Sequence, residues 1–245
     1  PSIKDGNILS IKTSIANNNS YFGTVSSSST LGSTNHSISL SGAKSDGYRY
    51  NTDFKNYSAF YKFSLLIDSL NFFVTSGFSN QKFGANSFYS SYYPDQWENT
   101  KSTIFIAGMS KKNFDIRFFW RKHNDEYLLF RYQPEKYRNN HLKNYLGVIS
   151  KYSNVTNFGL FTLGIETGYD EIESNNLGNH IRKRINLFFD DNIAINQNII
   201  ISFGSGISIF SDWKPEYSPG LDISCKFFDN FISYLAFNTS YRIPT

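Results

Sequence analysis

The 245 residues predict an all-β fold, a partial antiparallel up-and-down transmembrane β-barrel of about thirteen strands. Three observations support it. Apolar and polar residues alternate with period two in segments of about ten residues, the length a tilted strand needs to cross a bilayer. Short and long connections alternate along the chain, as tight periplasmic turns and long extracellular loops do in a membrane barrel. The composition is amphipathic: aromatic residues reach 18%, with 24 Phe and 17 Tyr, and charged residues stop at 18%, against roughly 25% in an ordinary soluble domain.

A helical span is excluded, because no run approaches the ~18 uninterrupted apolar residues of a membrane helix and the mean hydropathy is negative. Strands escape that test. They show one side to lipid and the other to a lumen, so window averages stay low. The formal net charge of +4 is spread without a basic block, which argues against nucleic acid as a partner. Cys225 is the only cysteine, so neither an internal disulfide nor a cysteine-based metal cluster is expected. The opening PSIKDGNILS has no basic stretch followed by an apolar one, and an exported chain is therefore expected to start further upstream.

Taken in order, the first strand is expected from about Asn7. Short links are expected at Leu31 to Thr34, Asp68-Ser69, Lys111 to Asn113, Ser153 to Val155, Asn196 to Asn198 and Asp229-Asn230. Long polar or aromatic links are expected between them at 45–54, 80–98, 124–140, 169–180 and 211–218. Alternation is clearest in the second half of the chain. Phe161, Leu163 and Ile165 stand against Thr162, Gly164 and Glu166; Ile201, Phe203, Ile207 and Ile209 stand against Ser202, Gly204, Gly206 and Ser208. Leu221, Ile223, Cys225 and Phe227 oppose Gly220, Asp222, Ser224 and Lys226. The last segment sets Phe231, Leu235, Phe237 and Tyr241 against Ala236, Asn238, Ser240 and Arg242 and reads as a strand running to the final residue.

Polar faces of Ser, Gly and Lys suit a wet lumen better than a packed core. An odd number of strands with two unpaired ends is expected to be part of a larger barrel. Bacterial single-chain barrels generally have even counts, and a sheet in lipid must close to satisfy its edges. A soluble sandwich fits less well: its strands average roughly 5 to 6 residues, and its loops have no reason to alternate in length. No fixed-length repeat points to a propeller or solenoid.

The segments SDGYRYNTDFKNYSAFYK (45–62), FGANSFYSSYYPDQWENTK (83–101) and SYRIPT (240–245) resemble barrel segments of TonB-dependent outer-membrane receptors, in particular the vitamin B12 receptor-like group of Bacteroidetes. The resemblance runs in order along most of the chain. SYRIPT is similar to a Ser-x-Arg-x-Pro-Thr strand motif shared by many such receptors, so the two loop segments carry the ligand inference. Residues 1–245 would then be an incomplete barrel domain, about thirteen strands of a barrel of about 22, without the plug. The resemblance implies residence in the outer membrane of a Gram-negative bacterium, among its lipids. It also implies energised uptake of a scarce nutrient such as a cobalamin-type corrinoid, through TonB acting on a plug outside this chain, with a surface lipoprotein as a further partner. A siderophore or haem-iron receptor is the nearest alternative. A passive porin and an outer-membrane barrel enzyme are alternatives of another class.

A receptor of this kind needs no nucleophile, and the expected ligand contacts are aromatic and polar loop residues, because Tyr and Trp combine area with a hydrogen-bonding tip. Tyr89, Tyr92, Tyr93 and Trp97 in the second long link, and Tyr48 and Arg49 in the first, are the candidates. The competing reading puts such rings in the aromatic girdle at the membrane boundary. Asp46 and Asp53 belong to an oxygen-rich cluster that could hold calcium, and related vitamin receptors use loop calcium; no other cofactor is expected. The spacing is not that of an EF-hand, and Asp46-Gly47 is first a turn signal. His36, His123, His141 and His180 lack zinc-site spacing. Within each of the pairs Asp190-Asp191 and Asp125-Glu126 the two carboxylates would point to opposite strand faces and are poorly placed to converge on one bond. No nucleophile elbow or Walker loop is present, so no catalytic residue is expected.

Overall fold

The computed structural model describes residues 7–157, 159–228 and 230–243. Among them are thirteen strands in one antiparallel sheet, each hydrogen-bonded to its neighbours in sequence. They are β1 Ile8–Ala16, β2 Ser20–Leu31, β3 Thr34–Ser45, β4 Phe54–Ile67, β5 Leu70–Gly84, β6 Trp97–Lys111 and β7 Phe114–Leu128, then β8 Arg138–Val155, β9 Gly159–Ser174, β10 Gly178–Ala194, β11 Ile199–Phe210, β12 Glu216–Phe228 and β13 Phe231–Asn238. The all-β, up-and-down expectation holds. The chain divides into two compact units. One comprises the segment ending at Gly108 with Phe119–Leu146 and Asp170–Ile181; the other comprises Met109–Phe118, Gly147–Tyr169 and the segment from Arg182 onward.

In the first unit the register aligns whole rows by type. Ile11 pairs Val25, Val25 pairs Leu40, Leu40 pairs Ala59 and Ala59 pairs Phe78, making an apolar row across β1 to β5. One residue along each strand, Lys12, Thr24, Ser41, Ser58 and Ser79 form the neighbouring row on the opposite face. There Ser41 and Ser58 share a hydrogen bond of 2.6 Å. The second unit repeats the scheme. Phe203, Leu221 and Phe237 form one row. On the other face Ser202 donates to Asn192 at 2.6 Å and Asn238 to Asp222 at 3.1 Å.

The apolar rows face outward and are exposed, while Thr162, Ser174 and Ser208 are buried on the polar side. Only Ala85 and Leu128 are buried hydrophobic residues among those described. A water-soluble sandwich would invert this pattern. A continuous exposed apolar face needs an apolar surrounding, and a lipid bilayer supplies one.

Tight links fall where expected at 32–33, 68–69 and 112–113, with Gly32, Asp68 and Lys112 at positive φ of 60°, 52° and 49°. The link after β8 lies at 156–158, just beyond the expected Ser153 to Val155, and Phe158 is outside the described residues. Asp229 of the last short link is also outside them.

The long links required more correction. Strands of up to 18 residues outrun the expected ten, so 80–98 contracts to 85–96 and 124–140 to 129–137. The expected long link 169–180 is a tight turn at 175–177, which breaks the strict alternation of short and long. Ser174 Oγ caps it by accepting from the N–H groups of Asn176 and Leu177 at 3.1 and 2.9 Å. Asp170, Glu171, Glu173 and His180 made this stretch look like a loop. A ladder that projects beyond the apolar band is wet on both faces, so polarity there says nothing against a strand.

The final segment also departs from expectation. β13 ends at Asn238, and the Tyr241 ring packs edge-on against Phe210 at 6.0 Å, with its hydroxyl donating to Ser208. Those contacts, on the polar side of β11, draw Tyr241 out of the extended line. Pro244 and Thr245 of SYRIPT lie outside the described residues.

Candidate functional site: a braced platform of long links

The links 46–53, 85–96 and 129–137 lie within the first unit and are tied to one another by buried polar groups. Asn51 is the hub. It sits at φ 52°, a left-handed conformation that asparagine tolerates. Its side-chain amide donates to the carbonyls of Pro94 and Gln96 at 2.8 and 2.7 Å. Its Oδ1 accepts from Arg131 at 2.8 Å, and its main-chain carbonyl accepts from Asn86 N–H at 3.1 Å. Every polar atom of a buried amide is thereby used, which is the condition for burying one without loss.

Gln96 is the only fully buried large side chain among the described residues. It holds the second link in shape, accepting from Tyr89 N–H at 3.1 Å and donating to the Ser90 carbonyl at 3.0 Å. Arg131 clamps the third link to the first. Its guanidinium forks onto both oxygens of Asp53 at 2.5 and 2.9 Å, and the Arg131 main-chain N–H donates to the Asp95 carbonyl at 2.9 Å. Planar fork geometry makes this the strong form of ion pair. The hydrogen bonds from Arg131 hold the Asp53 carboxyl below its ordinary range. Gly47, at φ 82°, turns the first link where an added Cβ would lie 2.6 Å from the Thr52 carbonyl carbon, so only glycine fits.

On this scaffold the aromatic residues project. Tyr48 and Tyr92 are 76% and 87% exposed, and Tyr50, Phe88, Tyr89 and Tyr132 are exposed as well. Arg49 stacks over Tyr48 at 5.5 Å and reaches the Asn86 carbonyl at 3.4 Å. Tyr89 is held edge-on between Phe88 at 4.8 Å and Tyr127 at 5.3 Å. Its hydroxyl donates to Glu98, and desolvation followed by that bond pushes its ionisation up. Tyr50 donates to Asp95 at 2.5 Å, and the carboxylate raises its pKa to about 12. Tyr93 packs edge-on against Phe130 at 5.7 Å.

Five of the expected contact residues, Tyr48, Arg49, Tyr89, Tyr92 and Tyr93, therefore lie on the braced links. Trp97 does not. It opens β6, and strand alternation sets it on the face opposite Glu98. A Cβ on Gly77 of the polar face would touch Ile104 at 3.0 Å, so the even-numbered residues of β6, Glu98 included, share that face. Trp97 takes the opposite one. The candidate calcium ligands are also apart in role: Asp53 is held by Arg131, and Asp46 accepts from Asn19 at 2.6 Å. No group of three or more His, Cys, Asp or Glu side chains that could hold a metal occurs among the described residues. Arg131, Asn86, Tyr50 and Tyr132 were not legible as site residues. Arg131 meets Asp53 across 78 positions of sequence, and no local pattern marks such a pair.

A second recess, of about 370 Å³, opens at the ends of β7 to β10, lined by Asn124, Asn140, Glu173, Ser174 and Asn179. His141 and Ser174 share a hydrogen bond of 2.8 Å beside it. Asp190 and Asp191 pair with Gly204 and Phe203 in adjacent register positions, hence on opposite faces.

No family model matches the sequence, and no curated protein does. Solved structures do match. The chain is similar to the siderophore receptor PirA from Pseudomonas aeruginosa, at 15% identity and a TM-score of 0.72, covering 92% of this chain and 40% of that one. It is similar to the FrpB iron transporter from Neisseria meningitidis, at 10% identity and 0.77, covering 96% and 46%. The copper transporter OprC gives 9% and 0.81, covering 98% and 45%. The chain thus spans less than half the length of these structures. At such identities the likeness is one of fold: thirteen consecutive strands arranged as in the barrels of outer-membrane transporters.

Proposed function

We propose that this chain is barrel wall and loop platform from a TonB-dependent receptor of the Gram-negative outer membrane, not an enzyme. The wall spans the membrane by its outward apolar rows, and links 46–53, 85–96 and 129–137 capture the nutrient outside. The observation that carries the reading is the braced platform. Polar groups buried inside the links brace the backbone that presents exposed Tyr48, Tyr50, Tyr89, Tyr92 and Tyr132, so the ordering entropy of the links is spent before a ligand arrives.

The ligand class we infer is a bulky, ring-rich corrinoid, for which wide tyrosine faces with hydroxyl tips are suited. TonB, through a plug, and a surface lipoprotein are the further partners of this reading. A ferric siderophore is the second reading, favoured by the similar structures, which include a siderophore receptor, an iron transporter and a copper transporter. Calcium at Asp46 and Asp53 would have to displace Arg131, so the cation that Asp53 serves in this arrangement is a guanidinium.

The test is equilibrium binding of cyanocobalamin and of a ferric catecholate siderophore to the purified chain in detergent, read by quenching of tyrosine fluorescence. Corrinoid binding weakened about tenfold or more by Tyr89→Ala or Tyr92→Ala, as expected for an aromatic anchor, supports the proposal. Binding of the siderophore alone replaces the ligand class. Binding of either that ignores both substitutions removes the platform as its site.

A further inference from the structure

We propose that the outward face of β2 to β5 carries a binding site for a phosphate-bearing membrane lipid, with Lys44, Lys55 and Lys82 at headgroup level over a depression floored by Gly23 and Gly42. The proposal rests on the membrane-spanning reading above.

Register places the lysines. Tyr21 pairs Lys44, Lys44 pairs Lys55 and Lys55 pairs Lys82, so three ammonium groups occupy one lateral row. That row lies on the same face as Val25, Leu40 and Phe78, displaced toward the long links 46–53 and 85–96. Adjacent strands are about 4.8 Å apart, so the outer two lysines are separated by about 10 Å. One phosphorylated headgroup spans that distance.

Like charges directly opposite across a strand pair repel, and here two such pairs are consecutive. Nothing among the described residues neutralises them: none of the ion pairs involves Lys44, Lys55 or Lys82. Of the acids on the adjoining link, Asp53 is neutralised by Arg131, and Asp46, which accepts from the neutral Asn19 amide, forms no ion pair with any of the three lysines. The row is unfavourable by itself and becomes favourable with an anion on it.

The apolar half of the site adjoins the row. Gly23 pairs Gly42 and Gly42 pairs Tyr57, leaving a depression of about 280 Å³ walled by Tyr21 and Tyr57. An added Cβ on Gly42 would reach the Tyr57 ring at 3.5 Å and begin to fill it. The same two rings anchor the charges, with Lys44 Nζ 4.9 Å from the Tyr21 centroid and Lys55 Nζ 5.3 Å from that of Tyr57. Phosphate over the lysines and an acyl chain along the glycines is the occupant that uses both halves.

The test uses the whole chain in maltoside micelles, with lipid retention read by native mass spectrometry. The probes are a lipid with two phosphates such as lipid A, phosphatidylglycerol, phosphatidylcholine and inorganic phosphate. The two anionic lipids are expected to be retained over phosphatidylcholine. A Lys44→Gln, Lys55→Gln, Lys82→Gln variant is expected to lose on the order of a hundredfold, from about 1 kcal/mol for each lysine at a charged lipid surface. Lys12→Gln with Lys62→Gln, on the polar face, is expected to change nothing. Gly42→Leu is expected to weaken retention with all lysines present, and it keeps the proposal testable if the triple variant misfolds.

Equal retention of phosphatidylcholine, or an unaffected triple variant, overturns the proposal. Displacement of lipid by inorganic phosphate at equal concentration shows an anion site without an acyl groove and also overturns it. Displacement by polyglutamate at equal concentration points instead to an acidic protein partner. Protease protection of the chain in vesicles separates the two levels: protection without lipid selectivity removes this site alone, and no protection removes the membrane-spanning reading.

Discussion

The loop platform and the strand band solve opposite problems with opposite residues. In the platform a glutamine, Gln96, is fully buried, and in the band a leucine, Leu163, is 53% exposed. Each placement is unfavourable in isolation. The glutamine is tolerable because both ends of its amide are hydrogen-bonded, and the leucine because its surroundings are apolar. The platform is therefore built against water, with specific directional bonds, while the band depends on a solvent and on no particular partner. The first should fail by losing single bonds, and the second only by acquiring charge.

The largest effect is expected from charging the band. Leu40→Arg places a guanidinium among Val25, Ala59 and Phe78 and should cost about 2–4 kcal/mol at the membrane midplane, measured by urea titration in vesicles. Ser41→Arg, one residue along on the polar face, should be close to neutral. Equal effects at the two positions would abolish the distinction between faces.

A smaller loss is expected in the platform. Arg131→Ala leaves Asn51 Oδ1 and Asp53 without their donor and should open the links by about 1–2 kcal/mol, at the low end for a charged hydrogen bond because both partners are partly exposed. Hydrogen exchange across 85–96 reads it, with strand protection unchanged. Acid should act on the same bond. Asp53 is depressed when folded, so its contribution is present above the unfolded value of about 3.9 and is lost as pH falls through the lower folded value. Wild-type links should stay protected at pH 5, and Arg131→Ala should remove the acid-dependent step. Persistence of that step in the variant would assign it to another carboxylate.

The smallest effect is spectroscopic. Tyr50 should ionise at about 12, and Asp95→Asn should return it toward about 10, followed by absorbance at 295 nm. Its bond to Asp95 is then present below pH 10 and lost as pH rises through 12.

Alternation at Phe161 to Glu166 and at Ile201 to Ile209 showed the strand faces because a strand records its two environments in adjacent residues. Polarity misled at 169–180, where β9 and β10 continue as a wet ladder, and at Tyr241, which a ring contact and a hydroxyl bond draw away from the strand line. Trp97, expected within the second long link, instead opens β6, because the strand runs further than its polar flank suggests.

What the sequence determined by itself was the class of fold and which residues share the exposed apolar face, since period-two patterning is local and each residue carries its own solvent preference. Tertiary structure alone decided that Arg131 locks Asp53, that Asn51 gathers three links, and that Lys44, Lys55 and Lys82 share a row. Those relations depend on register between distant segments, and register is a property of paired strands, not of any one of them.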